Sequence, residues 1–458
     1  MPPLDPDVCY RALAARDARF DGRFFTGVRT TGIFCRPVCP ANTPKAANCR
    51  FFHSSAAAIA AGFRPCLRCR PEWAPETFDA LSTARTVRRA LDLIDTGALD
   101  QAAAPDLAAR LGIGDRHLRR LFRDTLGASP REVATTRRLL FARRLLTSTS
   151  LPVSAIAYES GFSSLRRFNE AFRANMNCTP SDLRKGNRPA APPGILLHLP
   201  FTPPYDWDGI IAFLAPRAIP GLETVEPHRY HRTFRIGSAQ GSVEVRRPQG
   251  AFLPVAVDLP EARGLRDIIR RLSHLFDLNA NPELIAQHLG GLSVTPGLRV
   301  PGAWDSFELA VRAVLGQQVS VKGATTLAAR IAAAYGELHA FPTPETLAEA
   351  DFAAIGLTAA RAATLRGLAS AVATGGLDFT RPDCLDRLLT LPGIGPWTAQ
   401  YIAMRALREP DAFPAGDLGL RKALGSDGKP ATEREAEQTA EQWRPWRAYA
   451  AFQLWRSL

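Results

Sequence analysis

The stretch LPGIGPWTA, residues 391–399, has the form of a helix-hairpin-helix, in which a Gly-Ile-Gly turn joins two short helices. The two glycines allow such a turn to present backbone N–H groups to a DNA phosphate. Taken alone the pattern is a weak signal, because many helices end in a similar glycine turn. Its surroundings support it, since Ala- and Leu-rich helical segments separated by Gly and Pro extend from about residue 265 to residue 458. Downstream of the hairpin, Gly416-Asp417 place a single carboxylate.

Residues 196–458 resemble the AlkA-type 3-methyladenine DNA glycosylases, which belong to the base-excision glycosylases with a helix-hairpin-helix followed by Gly/Pro residues and one Asp. Besides the hairpin, the matching segments are PPYDW at 203–207, LFDL at 275–278, VLGQ at 314–317 and WRPWRAYA at 443–450. The resemblance implies an α+β N-terminal subdomain followed by an all-α domain that contains the hairpin. Short β-rich runs over residues 195–260, bounded by Gly and Pro, agree with such a subdomain.

The resemblance places Asp417 on the family's catalytic aspartate. A carboxylate near C1′ stabilises the positive charge that develops on the sugar as the N-glycosidic bond breaks, and it helps to orient the attacking water. The alternative for a lone Asp is a helix N-cap. The family's base pocket is aromatic, and the corresponding residues are Trp397, Tyr401, Trp455 and Phe213, although aromatic residues at helical spacing are usually core. Stacking on such rings favours a cationic alkylated purine by about 0.5–2 kcal/mol per contact.

Positions near the hairpin refine the expected chemistry. Glycosylases that also nick the strand carry a Lys just after the turn, where this chain has Trp397, so the resemblance implies a monofunctional enzyme that leaves an abasic site. Gln318 occupies the position of an intercalating Leu, and we expect it to fill the gap left by a flipped nucleotide. Gly393 and Gly395 are the expected phosphate contacts. Since no four-Cys group follows the hairpin, an iron–sulfur cluster is not expected. No organic cofactor is expected either.

A cluster of cysteines lies near the N-terminus, with the spacing Cys35-x3-Cys39, a 26-residue loop and Cys66-x2-Cys69. Two close pairs separated by a loop supply the four thiolates of a tetrahedral zinc site, so the spacing predicts one bound Zn²⁺. The spacing leaves open whether that zinc is purely structural. The remaining cysteines are expected to be buried thiols: Cys9, Cys49, Cys178 and Cys384.

The segments TTGIFCRPVC at 30–39 and AGFRPCLRC at 61–69 resemble the N-terminal methyl-acceptor domain of the Ada family, over about residues 5–75. The resemblance implies that Cys35 is both a zinc ligand and the nucleophile that accepts a methyl group from a methylphosphotriester in DNA. Zinc keeps the sulfur as a thiolate at neutral pH, so this step needs no general base. Methylation removes one unit of negative charge, and we hypothesise that it thereby increases DNA affinity. The Pro-Cys-His-Arg sequence of Ada's second acceptor domain is absent, so reversal of O6-methylguanine is not expected.

Residues 83–185 contain an internal helical repeat. Its matching residues are 49 or 50 positions apart: Ala108 and Ala157, Gly112 and Gly161, Phe122 and Phe172, Arg123 and Arg173, Pro130 and Pro180. The small Ala permits close approach of two helices and the Gly permits a tight turn, which together predict a helix-turn-helix. Two copies about 50 residues apart resemble the AraC-type DNA-binding domain over its whole length.

The second helix of each copy is rich in cationic side chains. The candidates for DNA contact are Arg116, His117, Arg119, Arg120, Arg166 and Arg167. As a group on a repeated helix-turn-helix they predict DNA binding, although any one of them is as compatible with a solvated helix face. We expect Asp115 and Ser163 to be N-caps of these helices rather than base contacts.

The formal net charge of +13 resides in the N-terminal part of the chain. Residues 1–190 contain 30 Lys and Arg against 17 Asp and Glu, whereas residues 191–458 contain 27 of each. This excess predicts a polyanionic partner, and we expect double-stranded DNA, both alkylated DNA and promoter DNA. If the protein activates transcription, RNA polymerase is the expected further partner. The sequence lacks a signal-peptide pattern and a membrane-spanning run, so a cytoplasmic protein without a membrane partner is expected. We also expect a monomeric bacterial protein that associates with the nucleoid.

Together these patterns predict a multidomain, mainly α protein. The expected parts are a small zinc-binding α/β module (1–76), an all-α double helix-turn-helix (82–186), a linker (187–195), an α+β subdomain rich in strands (196–290) and an all-α helix-hairpin-helix domain (291–458). The expected function is repair of alkylation damage by a type II 3-methyladenine glycosylase, combined with stoichiometric methyl transfer and transcription activation. The competing hypothesis is a transcription regulator whose glycosylase-like half is catalytically silent.

Overall fold

The computed structural model describes residues 4–75, 82–185, 195–260, 263–337, 339–426 and 428–458. The chain divides into two compact units, of which the first is Met1–Pro203, Gln249–Arg270 and Leu278–Ala280, and the second is Pro204–Pro248, Arg271–Asp277 and Asn281–Leu458. The predicted linker lies outside the described residues, except that Ile195 begins a strand. The protein is multidomain and mainly helical with small sheets, which confirms the predicted fold class.

The N-terminal module is a small α/β unit built on a four-stranded sheet. Its elements are α1 (Pro6–Ala14), β1 (Phe25–Val28), β2 (Ile33–Cys35), β3 (Cys49–Phe52), α2 (Ser55–Ala60) and β4 (Arg64–Pro65). The strand order is β3-β1-β2-β4, and β2 pairs with β4 in parallel, with Phe34 opposite Pro65. This register brings Cys35 and Cys66 side by side, because each is the next residue along its chain. A local parallel pairing therefore assembles the two cysteine pairs.

Seven helices form the tandem helix-turn-helix region. They are α3 (Ser82–Asp95), α4 (Ala104–Arg110), α5 (Asp115–Leu126), α6 (Pro130–Ser148), α7 (Val153–Glu159), α8 (Leu165–Met176) and α9 (Pro180–Lys185). The repeated Ala108 and Ala157 are both fully buried. Gly112 and Gly161 have φ angles of 68° and 81°, in the left-handed region that favours glycine. The repeat in the sequence is thus a repeat in the structure.

The predicted N-caps of the two second helices are wrong by one residue each. Helix α5 has Gly114 as its N-cap, and Asp115 is its first helical residue, with a carboxylate 2.9 Å from Arg119 Nε. Helix α8 is capped by Ser164, whose hydroxyl accepts a hydrogen bond from the N–H of Arg167 at 3.2 Å. Helix α5 therefore starts one residue earlier than expected, and helix α8 starts one residue later.

The C-terminal half begins with strands and continues with helices. Its strands are β5 (Ile195–Pro200), β6 (Glu223–Glu226), β7 (Arg229–Ile236), β8 (Ala239–Arg246) and β9 (Phe252–Asp258). Its helices are α10 (Trp207–Leu214), α11 (Leu265–Leu275), α12 (Pro282–His288), α13 (Ser306–Leu315), α14 (Val321–Tyr335), α15 (Pro344–Ala348), α16 (Ala359–Ala373), α17 (Cys384–Leu389), α18 (Pro396–Arg405), α19 (Leu418–Ala423), α20 (Glu433–Ala440) and α21 (Arg447–Arg456). No helix of the described residues is long and apolar enough to cross a membrane.

Within the second unit, α13 is the central helix. Its residues from Phe307 to Val314 are almost all buried, and it packs against α16 and α18. Strands β6, β7 and β8 of the same unit form an antiparallel meander, in which β7 pairs with β8 along its full length. Because α13 ends directly before the segment 316–320, its burial fixes the start of a loop that lines the site described below.

Helix α6 is fastened to the N-terminal module through a buried arginine. Arg143 Nε lies 3.2 Å from Glu72 Oε1, and the two side chains are only 3% and 1% exposed. The Arg143 guanidinium also donates to the carbonyl oxygens of Pro65 and Cys66, at 3.1 and 2.6 Å. Burial raises the pKa of the Glu72 carboxyl, and the positive charge of Arg143 opposes that rise. One side chain thus connects the second cysteine pair to the helix that joins the two helix-turn-helix copies.

Strands β5 and β9 lie in the first unit, where they contact helix α6 and the N-terminal module. They pair with each other in antiparallel fashion. Arg144, the neighbour of Arg143, donates to the backbone carbonyl of His198 in β5. Trp73 packs edge-on against Phe252 at the start of β9, with ring centroids 5.5 Å apart.

We expect Arg143→Met to destabilise the first unit by about 3 kcal/mol, because Glu72 then remains buried without its countercharge. Hydrogen exchange of peptides covering residues 64–73, measured by mass spectrometry, reports this local free energy. Arg119→Met is the matched control, since the Arg119–Asp115 pair is exposed and its loss costs about 1 kcal/mol or less. Equal protection in the two variants would contradict a stabilising role for Arg143.

Candidate functional site

The second unit contains a cleft of about 1710 Å³ at the hairpin. Eight of the residues predicted from the sequence line this cleft: Phe213, Gln318, Gly393, Gly395, Trp397, Tyr401, Asp417 and Trp455. The hairpin turn lies between α17 and α18, and Gly395 is the N-cap of α18. Gly393 has a φ of 85°, and a Cβ there would lie 2.0 Å from Thr364 Oγ1, so the turn requires glycine at this position.

The carboxylate of Asp417 is fixed by three N–H donors. Its Oδ1 accepts from the indole Nε1 of Trp455 at 2.9 Å and from the backbone N–H of Leu420 at 3.0 Å. Its Oδ2 accepts from the indole Nε1 of Trp397 at 3.2 Å. Asp417 is therefore the N-cap of α19 and also a member of the aromatic cleft, so the two interpretations of this Asp are compatible. All three donors are neutral, and they orient the carboxylate without cancelling its charge.

Three of the predicted aromatic side chains form one group beside Asp417. Trp397 and Tyr401 lie one helical turn apart on α18, and their rings stack with centroids 5.5 Å apart at 15°. The ring of Trp455, on α21, is 6.3 Å from that of Tyr401. These aromatic surfaces and the Asp417 carboxylate lie within one cleft, an arrangement suited to holding a flat base next to a negative charge.

Phe213 lines the same cleft, but its surroundings differ from those expected. The guanidinium carbons of Arg217 and Arg405 lie 3.8 and 4.8 Å from the centroid of its ring. The ring also contacts Phe452 edge-on at 5.2 Å. The cation–π capacity of Phe213 is thus used by two arginines of the chain itself. Arg405 also lies over the ring of Tyr401, 5.5 Å from its centroid.

Arg217 and Arg405 are cleft residues that the sequence reasoning missed. Arg405 is buried and donates to the hydroxyl of Tyr401 at 2.8 Å and to the carbonyls of Pro301 and Gly302. Burial acts to raise the pKa of Tyr401, but the charges of Arg405 and Arg217 outweigh it and hold the pKa below the usual value of 10.0. A signal was present, because each arginine follows its aromatic partner by four residues, the spacing of neighbours on a helix face.

The four clustered cysteines form the predicted metal centre in the first unit. Their sulfur atoms all lie within 4.8 Å of one another, and all four residues are free thiols. Tetrahedral zinc with Zn–S distances of about 2.3 Å needs sulfurs roughly 3.8 Å apart, so the donor set fits zinc. The protein has one Zn²⁺ site at Cys35, Cys39, Cys66 and Cys69.

Backbone N–H groups distinguish Cys35 from the other three thiols. Cys66 Sγ accepts from Arg68 N and Cys69 Sγ accepts from Arg36 N, both at 3.3 Å, while Cys39 has a backbone hydrogen bond from Ala41. Among the described residues, no backbone N–H is bonded to Cys35 Sγ. Cys35 is also the only one of the four that is not fully buried. A thiolate without such bonds keeps more electron density and is the better nucleophile.

The cysteines outside the cluster are only partly as expected. Cys9 and Cys384 are buried, and burial, with a contribution from Asp5, raises the pKa of the Cys9 thiol to about 11. Cys49 and Cys178 are half-buried rather than buried, although burial still raises the pKa of both thiols.

The cationic residues proposed for DNA contact lie on exposed helix faces. In α5 these are Arg116, His117, Arg119 and Arg120, and in α8 they are Arg166 and Arg167. The opposite faces are buried through Leu118 and Phe122 in α5 and Phe168 and Phe172 in α8. Arg119 and Arg166 each form an exposed pair with an acidic residue of the same helix. Such pairs contribute little to stability and are readily exchanged for a phosphate.

Comparison with family models matches four segments of the chain. Residues 8–72 match the metal-binding domain of Ada, residues 107–186 a helix-turn-helix domain, residues 196–305 the AlkA N-terminal domain, and residues 311–448 the HhH-GPD superfamily of base excision DNA repair proteins.

Similar proteins include a probable bifunctional transcriptional activator/DNA repair enzyme AlkA of Mycobacterium tuberculosis, 40% identical, with 99% of this chain and 97% of that protein covered. DNA-3-methyladenine glycosylase 2 of Escherichia coli is 38% identical over 56% of this chain and 95% of its own length. The bifunctional transcriptional activator/DNA repair enzyme Ada of Escherichia coli is 38% identical over 28% of this chain, and the match spans only 35% of that protein.

We expect the purified protein to hold one equivalent of zinc and Cys66→Ser to lose it during dialysis against a chelator. A hydroxyl is a poor replacement for a thiolate, so affinity should fall by more than the roughly tenfold to hundredfold that loss of an outer-shell partner costs. Metal analysis of the dialysed proteins measures the effect. Cys49→Ser, outside the cluster, should keep its zinc, and zinc retention by Cys66→Ser would contradict the four-thiolate site.

Proposed function

Because the chain belongs to the family of AlkA-type bifunctional transcriptional activator/DNA repair enzymes, we propose that it repairs alkylated DNA by base excision and by methyl transfer, and that it activates transcription. The observation that carries the glycosylase assignment is the Asp417 carboxylate, oriented by two indole N–H groups inside an aromatic cleft next to the hairpin. The reaction is hydrolysis of the N-glycosidic bond of alkylated purines of the 3-methyladenine type.

In the proposed excision, Trp397, Tyr401 and Trp455 hold the extruded base and Asp417 faces the sugar. As the bond between C1′ and the base nitrogen breaks, its electron pair leaves with the base and positive charge develops on the sugar. The carboxylate stabilises that charge, and water then adds to C1′ while its proton passes to Asp417. Trp397 occupies the position of a Schiff-base lysine, so the product is an abasic site in an intact strand.

The proposed methyl transfer uses Cys35. The thiolate attacks the methyl carbon of a DNA methylphosphotriester, an S–C bond forms, and the C–O bond breaks with its electron pair remaining on the phosphate. The partial exposure of Cys35 and the N–H···S bonds to the other three sulfurs support this choice of acceptor. The product is a stable thioether, so each molecule reacts once.

DNA is the partner of both activities. We propose that the tandem helix-turn-helix binds promoter DNA and that the bound protein contacts RNA polymerase. One chain already supplies two second helices with exposed cations, so a second copy is not needed to read two successive grooves, which supports a monomer. Binding to DNA of any sequence through the basic N-terminal part supports association with the nucleoid.

We expect Asp417→Asn to slow release of 3-methyladenine from methylated duplex DNA by about 10²–10⁴-fold, because the amide keeps the shape of the side chain but not its charge. Chromatography of released bases under single-turnover conditions measures this rate. Asp386→Asn, at an exposed position on α17, is the matched control and should act like the wild type. If the wild type also releases no base, the glycosylase-like half is silent and the regulator hypothesis replaces this one.

Exposure to DNA that carries methylphosphotriesters should add one methyl group to the wild-type chain and none to Cys35→Ser, because Cys35 is the one zinc-site sulfur that is not fully buried. Intact-mass spectrometry followed by peptide mapping locates the group, and Cys49→Ser is expected to react like the wild type. The methylated protein should then bind promoter DNA more tightly, since it has lost one negative charge. An unmodified wild-type chain would leave the zinc with a structural role.

A further inference from the structure

We propose that Gln317 is a positioning residue for base excision, which fastens the loop carrying Gln318 to the turn of the hairpin. The side chain that enters the duplex and the backbone groups that hold the phosphate would thereby be fixed relative to each other. The proposal rests on the glycosylase function proposed above and assigns a task to Gln317 through its bonds to the hairpin.

Gln317 makes hydrogen bonds to two other parts of the second unit. Its side-chain Nε2 donates to the carbonyl oxygen of Gly393 at 2.9 Å and to the hydroxyl of Thr398 at 3.0 Å. Gly393 is in the hairpin turn and Thr398 is in the first turn of α18. Its backbone carbonyl accepts from Arg361 Nη2 of α16 at 2.6 Å. Both N–H groups of one amide are thus used to hold the hairpin.

The loop that Gln317 holds has an unusual backbone. Gln318 is exposed and has a φ of 54°, in the left-handed region. This conformation costs a residue with a side chain about 1–2 kcal/mol and persists only where the surroundings enforce it. The loop starts where the buried helix α13 ends, and it stops at Ser320, which caps α14. Gln318 and Val319 at its tip line the rim of the cleft.

Helix α16 contacts both the loop that contains Gln317 and the turn of the hairpin. Arg361 binds the loop through the carbonyl of Gln317, and Thr364, on the same face of α16, packs against Gly393 of the turn. The loop and the turn therefore both contact α16, and the Gln317 amide also joins them directly to each other. With this third contact, the loop and the turn can move less relative to each other than if each were attached to α16 alone.

This rigidity matters when a base leaves the duplex. Extrusion costs a few kcal/mol of stacking and pairing, which a protein offsets by filling the gap while it holds the backbone. A misplacement of about 1 Å between such groups can cost about a hundredfold in rate. A single strand presents a base without a stack to open, so excision there does not need the fixed geometry.

The test compares Gln317→Ala with the wild type on methylated duplex and on methylated single-stranded DNA, under single-turnover conditions. We expect excision from the duplex to slow by about tenfold to a hundredfold, while excision from the single strand changes little. In an Asp417→Asn background, 2-aminopurine next to the lesion should show less fluorescence increase when Gln317 is replaced, because fewer bases are flipped. Equal slowing on both substrates would indicate a merely structural residue and overturn the proposal.

Further variants test whether the hydrogen-bond donors of Gln317, rather than the size of its side chain, produce the effect. They also test how much the bond to Thr398 contributes. Gln317→Glu keeps the size but, when ionised, cannot donate to the Gly393 carbonyl, so it should behave like Gln317→Ala. Thr398→Val removes one acceptor and should give a smaller loss that adds nothing to Gln317→Ala. Gln438→Ala, at an exposed position on α20, is the matched control and should not change either rate.

Failure of this proposal is distinguishable from failure of the proposed function. A wild-type protein that releases no base from either substrate refutes the glycosylase itself. A wild type that releases base, with Gln317→Ala equally fast on the duplex, refutes only the role of Gln317. If Gln317→Ala does not fold, Thr398→Val carries the test, because it keeps the bond to Gly393 and must lower the duplex rate alone.

Discussion

The carboxylate of Asp417 is the point on which the helices of the second unit converge. Its three donors come from the exit of the hairpin (Trp397), from the start of its own helix (Leu420) and from the C-terminal helix (Trp455). Neutral donors fix a carboxylate and leave its charge available to a cationic sugar, whereas an arginine partner would cancel part of that charge. Helices α18, α19 and α21 thus fix the position of one side chain.

The parts of this protein that the sequence predicts well are those in which chemistry restricts the spacing. Four thiolates must surround one ion, so two close cysteine pairs already define the metal centre. A glycine turn between short helices and a repeat at a constant interval are similarly restrictive, and both are present in the structure. The N-caps were missed by one residue because neighbouring residues, such as Ser163 and Ser164, are almost equivalent candidates.

Contacts between distant segments are what the sequence does not disclose. A sequence motif identifies the aromatic residues of the cleft. The motif does not show that Arg217 and Arg405 lie over the ring of Phe213. Gln317 and Gln318 are adjacent and identical, yet one is tied to residues 76 and 81 positions away and the other is exposed in a left-handed conformation. Only the fold distinguishes the residue that is bonded to the hairpin from its exposed neighbour.

The two proposed repair reactions differ in whether the protein is regenerated: base excision in the second unit is catalytic, and methyl transfer in the first unit occurs once. A glycosylase is regenerated after each cycle, whereas the proposed transfer to Cys35 would form a permanent thioether. In the first unit, the buried Arg143 joins the backbone of Cys66 to helix α6, so the metal centre is in direct contact with the helix that links the two helix-turn-helix copies. In the proposed mechanism, a negative charge lost at Cys35 is therefore lost next to the domain that is proposed to bind promoter DNA. Within the Debye length of about 8 Å, such a change alters attraction to phosphate directly, and it requires no rearrangement of the fold.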